Sequence, residues 1–151
     1  MMADQRRTRI VVGIGNPMLK DDRAGLEVVQ ALEALNAPVD TAELYSVGFE
    51  VLDTIMGYES AVIVDACQMG HPPGTILEMT PKEFFAENRA VNSHAVTLGS
   101  TLRVGQIVFA DDMPADLRLI LVEAEDISCF SKTCSPKVAR AVNEIVGKLW
   151  P

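Results

Sequence analysis

The chain of 151 residues has three cysteines, an odd number that does not suggest a disulfide scaffold. Basic residues are also scarce: 13 Lys and Arg stand against 21 Asp and Glu, a formal charge of −8. A nucleic-acid partner is therefore not expected, since a phosphate backbone demands clustered cations. No apolar run approaches the length of a membrane span. Met1 to Thr8 is polar with no apolar stretch behind it, so no signal peptide is expected and the expected compartment is the cytoplasm. GxxxxGK[ST], GxSxG and HExxH are all missing. Gly13-x-Gly15-x-x-Met18 lacks the third glycine of the dinucleotide fingerprint, and two acids follow where a phosphate would sit, so nucleotide binding is set aside.

Nearly half of the residues are hydrophobic, enough for one domain over residues 1–151 with a proper core. The stretch Val11 to Gly25 organises the rest. Arg9 to Val12 reads as a buried strand, Gly13 to Pro17 breaks it, and Asp21 and Asp22 stand at the head of a helix. That helix runs from about Asp22 to Leu35, with Ala24, Val28, Leu32 and Leu35 at spacings of three and four. Val39 to Tyr45 follows as a strand, then a helix in which Phe49, Leu52 and Met56 step together and Gly57 stops the run. Ser60 to Ala66 is a continuous apolar strand with Asp65 at its end, of the kind buried on both faces.

Gln68 to Gly74 is a loop and Thr75 to Thr80 an edge strand. Pro81 to Phe85 makes a helical turn before the polar stretch Glu87 to Asn92. Ser93 reads as the N-cap of a long helix carrying Ala95, Leu98, Leu102 and Phe109 on one face, weakened by Gly99 and Gly105 and ended by Asp111 to Pro114. Leu117 to Glu123 is the last strand, Ser128 to Thr133 a loop, and Ser135-Pro136 caps a final helix, with Pro at its first position and Val138, Val142, Ile145 and Leu149 as its buried stripe. The order β-α-β-α-β-β-α-β-α predicts an α/β fold, a mainly parallel sheet with helices on both faces.

Among the chemistry-bearing residues, Asp21 has an ordinary role as the cap of its own helix, which leaves Asp22 near the carboxyl end of a strand, where open α/β sheets place their ligands. If the first and third strands are parallel neighbours, Asp65 lies near Asp22. An unpaired buried carboxylate is costly, so Asp65 is either solvated at a site or paired. His94 sits in the first turn of its helix, where the dipole favours a neutral imidazole, available as ligand or base. The ordinary reading of His94 is a polar first-turn residue, and that of His71, between Gly70 and Pro72, a solvated loop residue. Taken together, Asp22, Asp65 and His94 form an O,O,N set that suits a borderline divalent metal such as nickel or zinc. Cys67 reads as a packing residue; a Cys67–His94 dyad leaves both acids unexplained. Cys129 and Cys134 have no second pair with which to close a zinc site.

Gly13-x-Gly15-Asn16-Pro17-x-Leu19-x-Asp21-Asp22, Val64-Asp65-Ala66, Gly70 with Pro73-Gly74-Thr75, Ser93-His94, Glu125-Asp126 and Ser135-Pro136 together resemble the hydrogenase maturation endopeptidases over nearly the whole chain. The resemblance implies a twisted five-stranded sheet flanked by helices in three layers. It implies an aspartyl-type endopeptidase that cuts a C-terminal extension from the nickel-loaded large-subunit precursor of [NiFe]-hydrogenase. By the same resemblance Asp22, Asp65 and His94 are the catalytic metal ligands. The metal is nickel supplied by the substrate, with another divalent ion as the alternative occupant of the resting enzyme. Two departures bear on the choice of precursor. Ser46-Val47-Gly48-Phe49-Glu50 stands where many relatives carry a Gly-Gly-Thr turn, and Arg23 stands where they carry a small residue. The rival readings are a non-catalytic binding factor using the same three ligands, and a peptidase or amidohydrolase holding its own zinc.

Overall fold

A computed structural model describes residues 6–86 and 93–151, with side chains 93–96 outside the description. The element order is β1 (Arg7–Ile14), α1 (Ala24–Ala34), β2 (Asp40–Leu44), α2 (Phe49–Ile55), β3 (Tyr58–Cys67), β4 (Ile76–Met79), α3 (Pro81–Ala86), α4 (Ser93–Val108), β5 (Asp116–Glu123) and α5 (Pro136–Leu149). The polar stretch Glu87 to Asn92 lies outside the described residues.

The strands form one sheet of five in the order β2-β1-β3-β5-β4. All neighbours are parallel except the edge strand β4, which runs antiparallel to β5. The central runs of β1, β3 and β5 are continuously buried because both faces of the sheet are covered. On one face α1 and α5 bury Val28, Val29, Leu32, Val138, Val142 and Ile145 against Val11, Val62 and Ile120. On the other, α2, α3 and α4 bury Leu52, Ile55, Phe84, Leu98 and Leu102 against Val12, Ile63 and Leu119. The expected three-layer α/β architecture is the observed one.

Several boundaries differ from the sequence reading. β1 extends through Gly13 to Ile14, and β3 continues past Asp65 to Cys67. Phe49 is 68% exposed; Val51, Leu52 and Ile55 form the buried side of α2 instead. Leu35 and Phe109 likewise lie outside the core, each just past the end of its helix. Gly105 does not break α4: a Cβ there would lie 2.6 Å from Leu52 Cδ2 and 3.0 Å from Met113, so its missing side chain lets α4 settle on α2.

The largest departure is at α1, which starts at Ala24 rather than Asp22. Residue 23 occupies the N-cap position with no side-chain cap bond, so Asp21 does not cap its own helix. The helix start is set by close packing. A Cβ on Gly25 would meet Val64 O at 2.3 Å and Ile14 O at 2.6 Å, and one on Gly13 would meet Gly25 O at 2.1 Å. The first turn of α1 therefore rests directly on the backbones of β1 and β3, a contact that the incomplete glycine fingerprint did not indicate.

Candidate active site

β1 and β3 leave the sheet side by side, with Gly13 opposite Val64. From there the chain turns to β2 on one side and approaches β5 on the other, so the gap between β1 and β3 is the switch point at which such sheets bind ligands. Asp65 is the last residue but two of β3 and is 2% exposed. Asp22 comes from the β1–α1 loop, which folds back tightly on the strand: a Cβ on Gly15 would lie 2.0 Å from Asp22 O. The Asp22 carboxylate, 7% exposed, accepts the Asn16 N–H at Oδ2, 3.1 Å away. That of Asp65 accepts the Ala66 N–H at 2.8 Å.

The two acids interact through space. Burial pushes the Asp65 carboxyl well above its usual range, the negative charge of Asp22 pushes it further, and the Ala66 N–H opposes both only in part. A pair of buried acids in this relation either retains a proton or takes a cation between them. The expected proximity of Asp22 and Asp65 is thus observed.

His94 lies in the first turn of α4. That helix runs down to the opposite edge, where the Asp112 carbonyl accepts the Gly57 N–H at the start of β3. The first turn, with His94, is therefore at the carboxyl end of the sheet. The His94 side chain and the expected Ser93 cap fall outside the described side chains. Among the described residues no three His, Cys, Asp or Glu side chains cluster at metal-binding spacing. His71 is half-buried, in the loop that follows β3.

Of two buried acids beside the site, the sequence reading gave one, Asp21, the wrong role and missed the other, Glu123. Asp21 is 0% exposed. Its carboxylate accepts the Glu125 N–H at 3.0 Å, the Asp126 N–H at 2.9 Å, the Ser135 N–H at 2.8 Å and the Ser135 hydroxyl at 2.7 Å. It thus ties the loop before α5 to the loop before α1, and the Ser135 hydroxyl is spent on it rather than on capping α5. Glu123, at the end of β5, accepts N–H groups from Met69, Gly70 and His71 at 2.8–3.1 Å, and the Cys67 thiol at 3.2 Å. It anchors the loop that leaves Asp65. A signal for Glu123 was present, since an acid closing the run Leu119 to Val122 repeats the pattern that singled out Asp65.

The cysteines are not poised as nucleophiles. Burial and the neighbouring Glu123 push the Cys67 thiol far above its normal value, and burial with Glu27 nearby pushes Cys134 up to about 12. Cys129 is exposed, and all three are free thiols. Arg23 is a connector: its guanidinium donates to Pro17 O at 2.9 Å, Ser131 O at 3.0 Å and Glu27 Oε1 at 2.9 Å.

Fold and site together define an α/β protein with a pair of buried, interacting carboxylates at the carboxyl edge of its sheet. Residues 26–150 match the hydrogenase maturation protease family, and the chain belongs to it. Asp65 and His94 lie inside the matched stretch, and Asp22 lies just before it. The hydrogenase 2 maturation protease of Escherichia coli K12 is 27% identical over 123 residues, 78% of this chain and 74% of that protein. The hydrogenase expression/formation protein HupD of Thiocapsa roseopersicina is 23% identical over 142 residues, 91% of this chain; the match spans 63% of HupD. The solved structure of the E. coli hydrogenase maturating endopeptidase HybD shares the fold, with a TM-score of 0.79 at 23% identity over 94% of this chain and 89% of that one. Family membership supports a peptidase and lends nothing to the binding factor or the zinc amidohydrolase.

Proposed function

We propose that this chain is the endopeptidase that removes the C-terminal extension of a nickel-loaded [NiFe]-hydrogenase large-subunit precursor. The observation that carries the proposal is the coupled Asp22–Asp65 pair at the switch point of a chain from the hydrogenase maturation protease family. The nickel is part of the substrate: the precursor brings it, and Asp22, Asp65 and His94 receive it. The donor set fits, because burial and the negative charge of Asp22 both disfavour the charged form of the Asp65 carboxyl, and a divalent cation between the two acids offsets both. The carboxylates then fix the cation and, through it, the scissile peptide, while Asn16 holds Asp22 in place. The substrate's metal would supply Lewis acidity for a carbonyl or water. In this scheme a precursor without nickel cannot complete the site, which is the source of specificity. The work is assigned to one domain over residues 1–151, in the cytoplasm, consistent with three free thiols. Among the described residues no helix is long and apolar enough to cross a membrane.

The test is the intact mass of a large-subunit precursor after incubation with this protein, with and without nickel loaded. Loss of a C-terminal peptide from the nickel-loaded form alone is the expected result, and Asp22→Ala abolishes it. Cleavage of both forms, or an active Asp22→Ala enzyme, would overturn the scheme, as would a stable uncleaved complex.

A further inference from the structure

Beside the acid pair, the loop from β1 to α1 and the loop from β5 to α5 build a short antiparallel ribbon. Leu19 bridges Phe130. The Lys20 N–H donates to Cys129 O at 2.9 Å, the Ser131 N–H to Met18 O at 3.0 Å, and the Asp21 N–H to Asp126 O at 2.9 Å. Two side chains brace this ribbon from within. The Asp21 carboxylate grips the 125–126 backbone and Ser135, and the Arg23 guanidinium joins Pro17 O to Ser131 O.

On this braced support Met18 is 61% exposed and Phe130 is 78% exposed. Single exposed apolar residues are ordinary on a protein surface. These two differ in their setting. They stand on the two facing segments of a ribbon held by the buried Asp21 and the partly buried Arg23, and the same loop closes on Asp22 through the bond from the Asn16 N–H. Two of the charges at the ribbon are engaged internally: Arg23 pairs with Glu27, and the Asp126 carboxylate accepts N–H groups from its own turn, at Ser128 and Cys129. Met18 and Phe130 thus offer a partner apolar surface on a support that loses little freedom on binding.

We infer that this ribbon is the seat for an apolar segment of the precursor next to its scissile bond, with Met18 and Phe130 as its affinity-determining residues. The inference rests on the processing reading above. Met18 lies two residues beyond Asn16, whose N–H holds Asp22, so a segment whose metal reaches Asp22 comes to lie beside this ribbon.

The test is steady-state kinetics of the Met18→Ser/Phe130→Ser double variant on nickel-loaded precursor. KM rises about tenfold while kcat stays close to the parent value, as expected for contacts that contribute to ground-state and transition-state binding alike. Both side chains are exposed, so the fold persists, which the unfolding midpoint verifies. Ile107→Ser is the control: Ile107 is 73% exposed near the end of α4, at the far edge of the sheet, and its KM stays at the parent value. An unchanged KM in the double variant overturns the inference. So does an equal rise in Ile107→Ser. A change in native mass with KM unchanged also overturns it, and would assign the ribbon to a contact between two copies. If the parent protein cleaves no precursor, the processing reading falls. The seat is then judged by co-sedimentation: precursor retained by the parent and lost from the double variant upholds it, and equal retention or no retention removes it.

Discussion

Asp21 and Asp22 are chain neighbours with opposite roles. Asp21 is enclosed and saturated by four donors, so Asp21→Asn forces an amide NH2 against N–H groups and should cost about 3 kcal/mol, since hydrogen bonds to a buried charge are among the stronger ones. Urea unfolding measures it, and a loss below about 1 kcal/mol, the worth of a single ordinary hydrogen bond, would show that the cluster is not a structural hub. Asp22→Asn should instead keep the fold and lose processing. Cys67→Ala should process precursor at the parent rate, because a thiol held protonated against Glu123 is no nucleophile; loss of cleavage in a folded Cys67→Ala protein would revive the dyad. Chain order separated the two acids but gave Asp21 the wrong partners. The groups that claim Asp21 lie more than a hundred residues away, while helix capping was the nearest local explanation for a carboxylate at that position. Asp65 was legible because an acid at the end of an apolar strand is anomalous wherever that strand packs.

α1 depends on Gly25 more than on its own periodicity. A methyl group there would press on the Val64 and Ile14 carbonyls, neither of which can move without displacing a strand, so Gly25→Ala should lower stability by about 3 kcal/mol, at the upper end of overpacking costs. A thermal scan showing an unchanged midpoint would mean that the helix start slides freely. The turn at Asp126 to Cys129 responds to acid instead. Hydrogen bonds from Cys129 and then Ser128 hold the Asp126 carboxyl well below its usual range. A carboxylate depressed in the folded state contributes stability that is fully present above its unfolded value and is lost as pH falls through that value towards the folded one. Asp126→Asn should therefore flatten the acid limb of the Tm–pH profile below about pH 4, the ordinary carboxylate range, and superimposable profiles would refute the assignment. The helices α1 and α5 and the strands β1, β3 and β5 were legible from their patterns, because two buried faces impose continuous apolar runs and one buried stripe imposes a 3.6-residue period. The exposed Phe49 was not legible, since Phe49-Leu52-Met56 and Val51-Leu52-Ile55 both fit helical spacing.

β3 lies at the centre of the sheet, between β1 and β5, and supplies residues to both apolar layers. The two layers are thereby coupled, and unfolding should be a single cooperative transition in which β3 amides exchange last. Exchange of β3 ahead of β1 and β5 would show that the layers open independently. Element order, the α/β class and the individual candidates Asp22, Asp65 and His94 came from local information: hydrophobic period, turn chemistry, and acids or an imidazole set at the ends of regular elements. The partnerships came from register and crossover. Gly13 opposite Val64 brings Asp22 beside Asp65, the return of β5 beside β3 brings Glu123 under the 69–71 loop, and the contact of two loops brings Asp21 to Ser135. Hydrophobic periodicity specifies which face of an element is buried but says nothing of which element lies next to it. The through-space interaction of Asp22 with Asp65 therefore arose only when the sheet was assembled.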